Sequence, residues 1–171
     1  MEFQEVLNQR YSVRMYEERP VEEEKLRKVL EAGHMAPTAK NIQPHRVYVL
    51  SSPEALEKIR SLTRCAFNAP VVLMVSVNAD EEYHCMFDEG VVSGEEDAAI
   101  VSTYMMLEAA NQGLGTCWVN YFPHAETAKA FGLPENERLV LLMPVGYPAE
   151  NSVPSANHTK KRPFDEIVKV L

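Results

Sequence analysis

Cysteine is scarce in this chain of 171 residues, which has three cysteines and no pair with CxxC spacing. An odd number of thiols argues against a disulfide framework and is typical of proteins from reducing compartments. His84 and Cys85 are adjacent, but no histidine and cysteine stand at a metal-ligand spacing, so we expect no metal site. We interpret Cys65, Cys85 and Cys117 mainly as packing residues.

Basic residues are also in short supply, since 17 lysines and arginines stand against 25 acidic residues and leave a net charge of −8. This balance argues against nucleic acid or an anionic membrane surface as the main partner. No apolar run approaches the roughly 18 residues of a membrane span, and the first 14 residues lack the basic end and apolar stretch of a signal peptide. We therefore expect a cytoplasmic protein with a single domain over residues 1–171.

The stretch from residue 93 to residue 122 dominates the predicted fold. Ser93 and Glu96 match a capping box, which predicts a helix start. All but three of residues 98–110 are apolar, a wider stripe than a surface helix needs, so we expect a helix near 97–112 buried in a core or between subunits. Gly113 then predicts a left-handed helix end, and residues 116–119 predict a short buried strand.

The rest of the chain predicts alternating helices and strands. Apolar periods and caps such as Ser52 indicate helices at 3–8, 22–35, 53–62 and 126–131, and strands at 46–50, 71–77 and 139–145. The strand at 71–77 is almost continuously apolar and is the expected central strand. The irregular residues 80–90 are interpreted as a mobile cover over a pocket.

The N-terminal segment, residues 10–14, carries candidate anion ligands. Arg10, Ser12 and Arg14 provide two guanidinium groups and a hydroxyl within five residues, a donor set that suits a phosphate monoester. The alternative is a solvated surface turn. The basic run at 157–163 supplies further cations from the other end of the chain, or is a solvated linker.

The proline loop, residues 36–44, is bracketed by two prolines and cannot be helical throughout. Its Thr38, Asn41 and Gln43 both donate and accept hydrogen bonds, which suits the edge of a planar heterocycle. Alternatively, these side chains bond within the loop and make it a connector.

The order of these motifs resembles that of the FMN-dependent nitroreductases over nearly the whole chain. The landmarks are Arg-x-Ser-x-Arg, Ala-Pro-Thr-x-x-Asn-x-Gln-Pro, Asn-Ala-Pro, Gly-Leu-Gly-Thr-Cys-Trp, Gly-Leu-Pro, Gly-Tyr-Pro and Lys-x-Arg-Pro. Each is weak singly, but seven in sequence are a strong signal. The resemblance implies an α+β three-layer sandwich, with an antiparallel or mixed central sheet flanked by helices. It also implies a homodimer with the long central helix at the interface.

The same resemblance assigns FMN contacts to five parts of the chain. They are Arg10, Tyr11, Ser12, Arg14, Pro37, Thr38, Asn41, Gln43, Asn68, Asn120, Tyr121, Lys160 and Arg162. The backbone at Asn120 and Tyr121 is expected beside flavin N5, and the tail is expected to reach the other subunit. Which subunit supplies each contact stays open. No Gly-x-Gly-x-x-Gly turn is present for a pyrophosphate, which favours FMN over FAD.

The activity that the resemblance implies is hydride transfer from NADH or NADPH through flavin N5 to a small acceptor, such as a nitroaromatic or a quinone, in a ping-pong cycle. Arg10 or Arg14 would stabilise negative charge at the N1/C2=O edge of the ring. The chain has no defensible Ser-His-Asp or Cys-His constellation, so catalytic side chains are not expected.

This sequence departs from the family at two positions. Asn120-Tyr121 replaces a common Gly-Gly or Glu-Gly, and His45 replaces a common aromatic residue. Tyr121 therefore leaves the range of acceptors open. Two alternatives also remain, which are a specialised relative with its own substrate and a non-enzymatic FMN-binding or regulatory protein.

Overall fold

The computed structural model describes all 171 residues, which form six α-helices, four β-strands and two short 3-10 turns. The elements, in chain order, are α1 (Phe3–Gln9), α2 (Glu23–His34), a 3-10 turn (Ala39–Asn41), β1 (His45–Leu50), α3 (Pro53–Leu62), a 3-10 turn (Arg64–Ala66), β2 (Val71–Asn78), α4 (Gly94–Asn111), β3 (Gly115–Thr116), α5 (His124–Phe131), β4 (Glu137–Gly146) and α6 (Phe164–Ile167). None of the helices combines the length and apolar character that crossing a membrane would require.

The four strands form one antiparallel sheet in the order β1-β2-β4-β3. A parallel bridge between Ser12 and Thr116 adds the N-terminal segment beyond β3. The predicted central strand is confirmed, because β2 pairs with a neighbour on both sides and its residues from Val71 to Val77 are all buried. Such double coverage explains why the strand reads as a continuous apolar run.

Helices cover both faces of the sheet, so the expected three-layer arrangement is confirmed. On one face, alternate β2 residues such as Leu73 and Val75 share a core with Val29 of α2 and Met105 of α4. On the other face, Val72 and Met74 share a core with Leu56 and Ile59 of α3. The period of two along β2 sends successive side chains into the two different cores.

The helix α4 begins after Ser93 as predicted, but the predicted capping box is wrong. The Ser93 hydroxyl donates to Oδ2 of Asp97 at 2.7 Å and makes no bond to a helix-start amide. Ser93 has φ −93° and ψ −10°, which is a helical rather than an extended conformation. A buried carboxylate needs donors, and Asp97 takes this hydroxyl.

The predicted strand at 116–119 is shorter in the structure, where β3 contains only Gly115 and Thr116. Cys117 N–H donates to the Pro144 carbonyl at 3.4 Å, and pairing resumes at a single bridge between Val119 and Leu142. Pro144 has no N–H to return a bond toward β3, so the ladder is interrupted at that point.

One side of α4 is not covered by the rest of the chain. Ile100 and Tyr104 are 37% and 43% exposed, while Val101, Met105 and Ala109 on the opposite side are buried. The sequence predicted a helix buried on most sides, and a single chain buries only part of it. The uncovered side is apolar, which is unusual for a helix face that contacts only water.

Candidate functional site

The N-terminal segment, residues 10–14, lies along the edge of the sheet where α4 ends. Val13 is buried, and its N–H donates to the Thr116 carbonyl at 2.9 Å. The Tyr16 hydroxyl donates to the Val13 carbonyl at 2.9 Å and fixes the following turn. Arg10 and Tyr11 line a cavity of about 140 Å³ beside the last turn of α4. Two of the predicted anion ligands, Ser12 and Arg14, therefore flank Val13, which the core holds in place.

The C-terminal tail meets this segment at Tyr11. The Tyr11 hydroxyl donates to the Ser152 carbonyl at 3.1 Å, and the ring of His158 stands edge-on at 6.4 Å. Lys160 and Arg162 follow within four residues, and every residue from 159 to 171 is exposed. The structure thus brings the start of the basic run near the N-terminal arginines.

The cations at this end of the molecule carry no carboxylate partner. Arg10, Arg14, Lys160 and Arg162 take part in none of the ion pairs of the chain. Arg14 bonds only to the nearby Ser12 carbonyl, at 3.1 Å. In a chain with net charge −8, unpaired guanidinium and ammonium groups at one end make a local site for an anion.

Asn68 lies at the same end of the sheet, just before β2. Phe67 and Asn68 have left-handed backbone conformations with φ 52° and 55°. Pro70 packs closely on Gly146, which pairs with Gly115 at the start of β3. Asn68 therefore lies at the same end of the sheet as the N-terminal segment, and not at the end where the proline loop lies.

The proline loop is held in a strained shape. Lys40, Asn41 and Gln43 all have left-handed backbone conformations, with φ between 49° and 58°. The Thr38 hydroxyl accepts from the Gln43 N–H at 3.0 Å, and the Gln43 amide donates to the Asn41 carbonyl at 3.2 Å. All five non-glycine residues with positive φ lie in this loop or at Phe67 and Asn68. Such outliers persist only where the surroundings enforce them, and they cluster at functional sites.

The proline loop lies at the opposite end of the molecule from the N-terminal segment. The Pro44 carbonyl accepts from the N–H of Asn78, the last residue of β2, whereas Asn68 precedes the first. Eight residues of strand separate these ends by about 26 Å. Along α4, 13 residues or about 20 Å separate Asp97, which accepts from the Ala39 N–H, from Ala110, which lines the cavity at Arg10.

One chain therefore brings together only some of the predicted site residues. Those that lie at the α4 C-terminal end are Arg10, Tyr11, Ser12, Arg14 and Asn68, with the start of the tail that carries Lys160 and Arg162. Those that lie at the α4 N-terminal end are Pro37, Thr38, Asn41 and Gln43.

Asn120 and Tyr121 line a separate open cavity of about 410 Å³ on the α3 side of the sheet. One ring nitrogen of His124 is 3.2 Å from the Asn120 carbonyl oxygen, and the Tyr121 side chain is exposed. Arg64 also lines this cavity and was missed by the sequence analysis. The available signal was the Thr63 cap, whose hydroxyl accepts from the Cys65 N–H at 3.1 Å and turns the chain there.

Residues 80–92 lie beside the proline loop, and their role as a cover over a pocket stays a prediction. The Lys40 ammonium lies 4.7 Å from the centre of the Tyr83 ring. Further along, the Cys85 N–H donates to the Val91 carbonyl at 2.9 Å and closes a hairpin-like turn. Met86 and Phe87 at its tip are 85% and 87% exposed. The segment is irregular as predicted, while its mobility stays a prediction.

The buried cysteine, Cys117, has an environment that disfavours the thiolate. All three cysteines are free thiols, Cys117 is buried, and burial raises the pKa of its thiol. Thiolates are the reactive form, so this thiol is protonated and unreactive near neutral pH. No group of three or more His, Cys, Asp or Glu side chains is arranged to hold a metal ion.

The model of the nitroreductase family matches residues 7–81 and 61–147. An NADH dehydrogenase from Thermus thermophilus is 30% identical and aligns with 85% of this chain and 86% of its own length. A nitroreductase family protein from Clostridium difficile is 33% identical, with a TM-score of 0.91 over 99% of this chain and 98% of that chain.

A third structure shares the fold at lower identity. The protein comes from Exiguobacterium sibiricum and was crystallised in complex with FMN. It is 20% identical, with a TM-score of 0.85 over 100% of this chain and 98% of that chain.

Proposed function

Because the chain belongs to the nitroreductase family, we propose that it is an FMN-dependent oxidoreductase that passes a hydride from NADH or NADPH to a small acceptor. The observation that carries this proposal is the position of the two strained segments, which are the proline loop and residues 67–68. Left-handed residues hold the proline loop at one end of α4 and Asn68 at the other end, beside unpaired cations.

The donor groups of the chain fit FMN. Arg10 and Ser12 stand together at the sheet edge and suit the terminal phosphate, with Lys160 and Arg162 of the tail as further donors. At the other end, Asn41 and Gln43 carry amide side chains that both donate and accept hydrogen bonds, which suits the mixed edge of the ring. These two groups contact α4 at Asp97 and at Ala110, 13 residues or about 20 Å apart along the helix, so one chain alone does not surround a single FMN molecule.

A second copy of the chain resolves this separation. Ile100, Tyr104 and Leu107 follow one another at helical spacing along the uncovered side of α4 and are the natural surface for a partner helix. If a two-fold axis packs two α4 helices antiparallel, the proline loop of each chain meets the Arg10 end of the other. The protein is thus proposed to be a homodimer with two composite FMN sites.

The tail supports the same assembly. Phe164, Ile167, Val170 and Leu171 are apolar and exposed, and no residue of α6 is buried by its own chain. Burial of this tail on the second copy would remove apolar surface from water at about 25 cal/mol per Å². It would also order the Lys160 and Arg162 side chains at the site.

When bound, FMN supplies hydride acceptance and donation at N5, and the chain supplies binding and electrostatics. Arg64 lines the cavity of Asn120 and Tyr121, and Arg14 acts electrostatically on Cys117 nearby. A guanidinium group such as that of Arg14 would offset negative charge at the N1/C2=O edge of the reduced flavin, and Arg10 would then serve the phosphate. The exposed Tyr121 ring borders the cavity and sets the width open to an acceptor.

The test begins with the cofactor of the purified protein. Extraction and chromatography are expected to yield FMN, and anaerobic stopped-flow mixing with NADH and with NADPH is expected to bleach it. FAD as the bound flavin, or a protein that FMN does not reconstitute, would contradict the proposal. A bound FMN that neither nucleotide reduces would favour a non-enzymatic FMN-binding protein.

A further inference from the structure

The carboxylate of Asp97 is buried in the first turn of α4 and is 2% exposed. It has no cationic partner, since it takes part in none of the ion pairs. Its Oδ2 accepts from the Ser93 hydroxyl at 2.7 Å, and its Oδ1 accepts from the Ala39 N–H at 2.8 Å. A buried carboxylate is costly unless its oxygens are bonded, so these two donors are strongly retained.

The bond to Ala39 ties the proline loop to α4. Inside the loop, Asn41 N–H bonds to the Thr38 carbonyl at 2.9 Å, and Gln43 N–H bonds to the Thr38 hydroxyl. These bonds shape the loop but do not anchor it to the helix. Lys40 and Asn41 follow Ala39 directly in left-handed conformations that relaxed residues other than glycine avoid. Strained conformations persist only where neighbouring contacts enforce them, and the bond from Ala39 to Asp97 is such a contact.

We propose that Asp97 is a positioning residue that holds the proline loop in the conformation that binds the cofactor. The inference rests on the proposed function, because it assigns this loop to the FMN site. Loss of the anchor lets the loop populate other conformations, and the observed affinity falls by the fraction of chains that remain competent. Because Asp97 lies on α4, it also couples the proposed interface helix to the flavin of the neighbouring chain.

The conservative variant separates positioning from charge. In Asp97→Asn, the side-chain oxygen still accepts from Ala39 N–H, and the amide donates to Ser93, whose hydroxyl oxygen can accept. Asp97→Ala removes both bonds. We expect Asp97→Asn to bind FMN within about threefold of the unaltered protein, and Asp97→Ala to bind about ten- to a hundredfold more weakly.

Two measurements test this on the full-length protein. Titration of the apo-protein with FMN gives the affinity, and hydrogen exchange without FMN reports the loop directly. The Ala39 amide is expected to exchange about tenfold faster or more in Asp97→Ala, because its acceptor is gone. Val101→Ala is the matched control, since it removes buried volume from the same helix without altering either bond of Asp97. It is expected to lower stability and leave FMN affinity within about threefold.

The outcomes distinguish this inference from the proposed function. An unaltered protein that binds no FMN overturns the proposed function. If the unaltered protein binds FMN and a folded Asp97→Ala binds it equally well, only the positioning role is overturned. If Asp97→Ala does not fold, Ala39→Pro removes the N–H donor of the anchoring bond at a position that follows the extended Thr38, and it is expected to weaken FMN binding by about three- to tenfold. Equal affinity in that variant refutes the role of the anchor.

Discussion

If each FMN site combines the Arg10 end of one chain with the proline loop of the other, two damaged variants should complement each other in a mixed dimer. Arg10→Ala damages one end of the molecule, and Asn41→Ala combined with Gln43→Ala damages the other, about 20 Å away along α4. Loss of one charge-assisted hydrogen bond at Arg10 costs roughly 1.5–3 kcal/mol, which corresponds to about ten- to a hundredfold in FMN affinity. Each variant alone is therefore expected to bind FMN weakly in both of its sites.

Mixed dimers of the two variants are expected to regain one good site. A two-fold dimer that pairs Arg10 of one chain with the proline loop of the other contains one unaltered site and one site that carries both changes. Random pairing makes about half of the dimers mixed, so roughly a quarter of all sites recover. Co-expression with two different affinity tags isolates the mixed species, in which half of the sites should bind FMN as the unaltered protein does.

Flavin fluorescence titration of the mixed dimers measures this fraction. The control variant is Arg27→Ala, which removes an exposed arginine from the surface pair with Glu31 and should bind FMN normally. Mixed dimers without any tight site would refute the composite arrangement, because two singly damaged sites arise only when each chain builds its own. A folded, FMN-loaded monomer at micromolar concentration would refute it as well.

Three further predictions address other parts of the chain. Cys117→Ser is expected to leave flavin reduction by NADH or NADPH intact in stopped-flow experiments, because the Cys117 thiol is buried with a raised pKa; loss of reduction with FMN still bound would restore a thiol mechanism. Gly115→Ala places a methyl group against the Val13 side chain, so a lower Tm and weaker FMN binding are expected, and an unchanged Tm would contradict that packing. Hydrogen bonds, of which the one from Tyr147 has the largest effect, lower the pKa of Glu22 from 4.5 to about 2. The ionised Glu22 carboxylate therefore stabilises the folded protein above about pH 4.5, and this stabilisation is lost as the pH falls toward 2. Tyr147→Phe should flatten that part of the pH dependence of unfolding, and an identical slope would exclude the interaction.

The sequence alone predicted the elements whose signals are local. The Ser52 cap and the apolar period of α3 lie within ten residues, and Ser52 accepts from the Ala55 N–H as expected. The continuous apolar run of β2 also indicated its central place, because double burial removes the polar alternation of an exposed face. Gly113 ends α4 at φ 75°, as its lack of a side chain allows.

The tertiary structure decided how the site residues are distributed. Thr38, Asn41 and Gln43 were grouped with Arg10 by motif order, yet β2 and α4 set these groups at opposite ends of the chain. The roles of Arg64 and Asp97 were also invisible in the sequence. Asp97 stands 58 residues from Ala39, and no local pattern links a carboxylate to a backbone amide at that separation. Local propensity depends on neighbours within a turn or two, whereas such contacts exist only after the strands have chosen their register and the helices have packed.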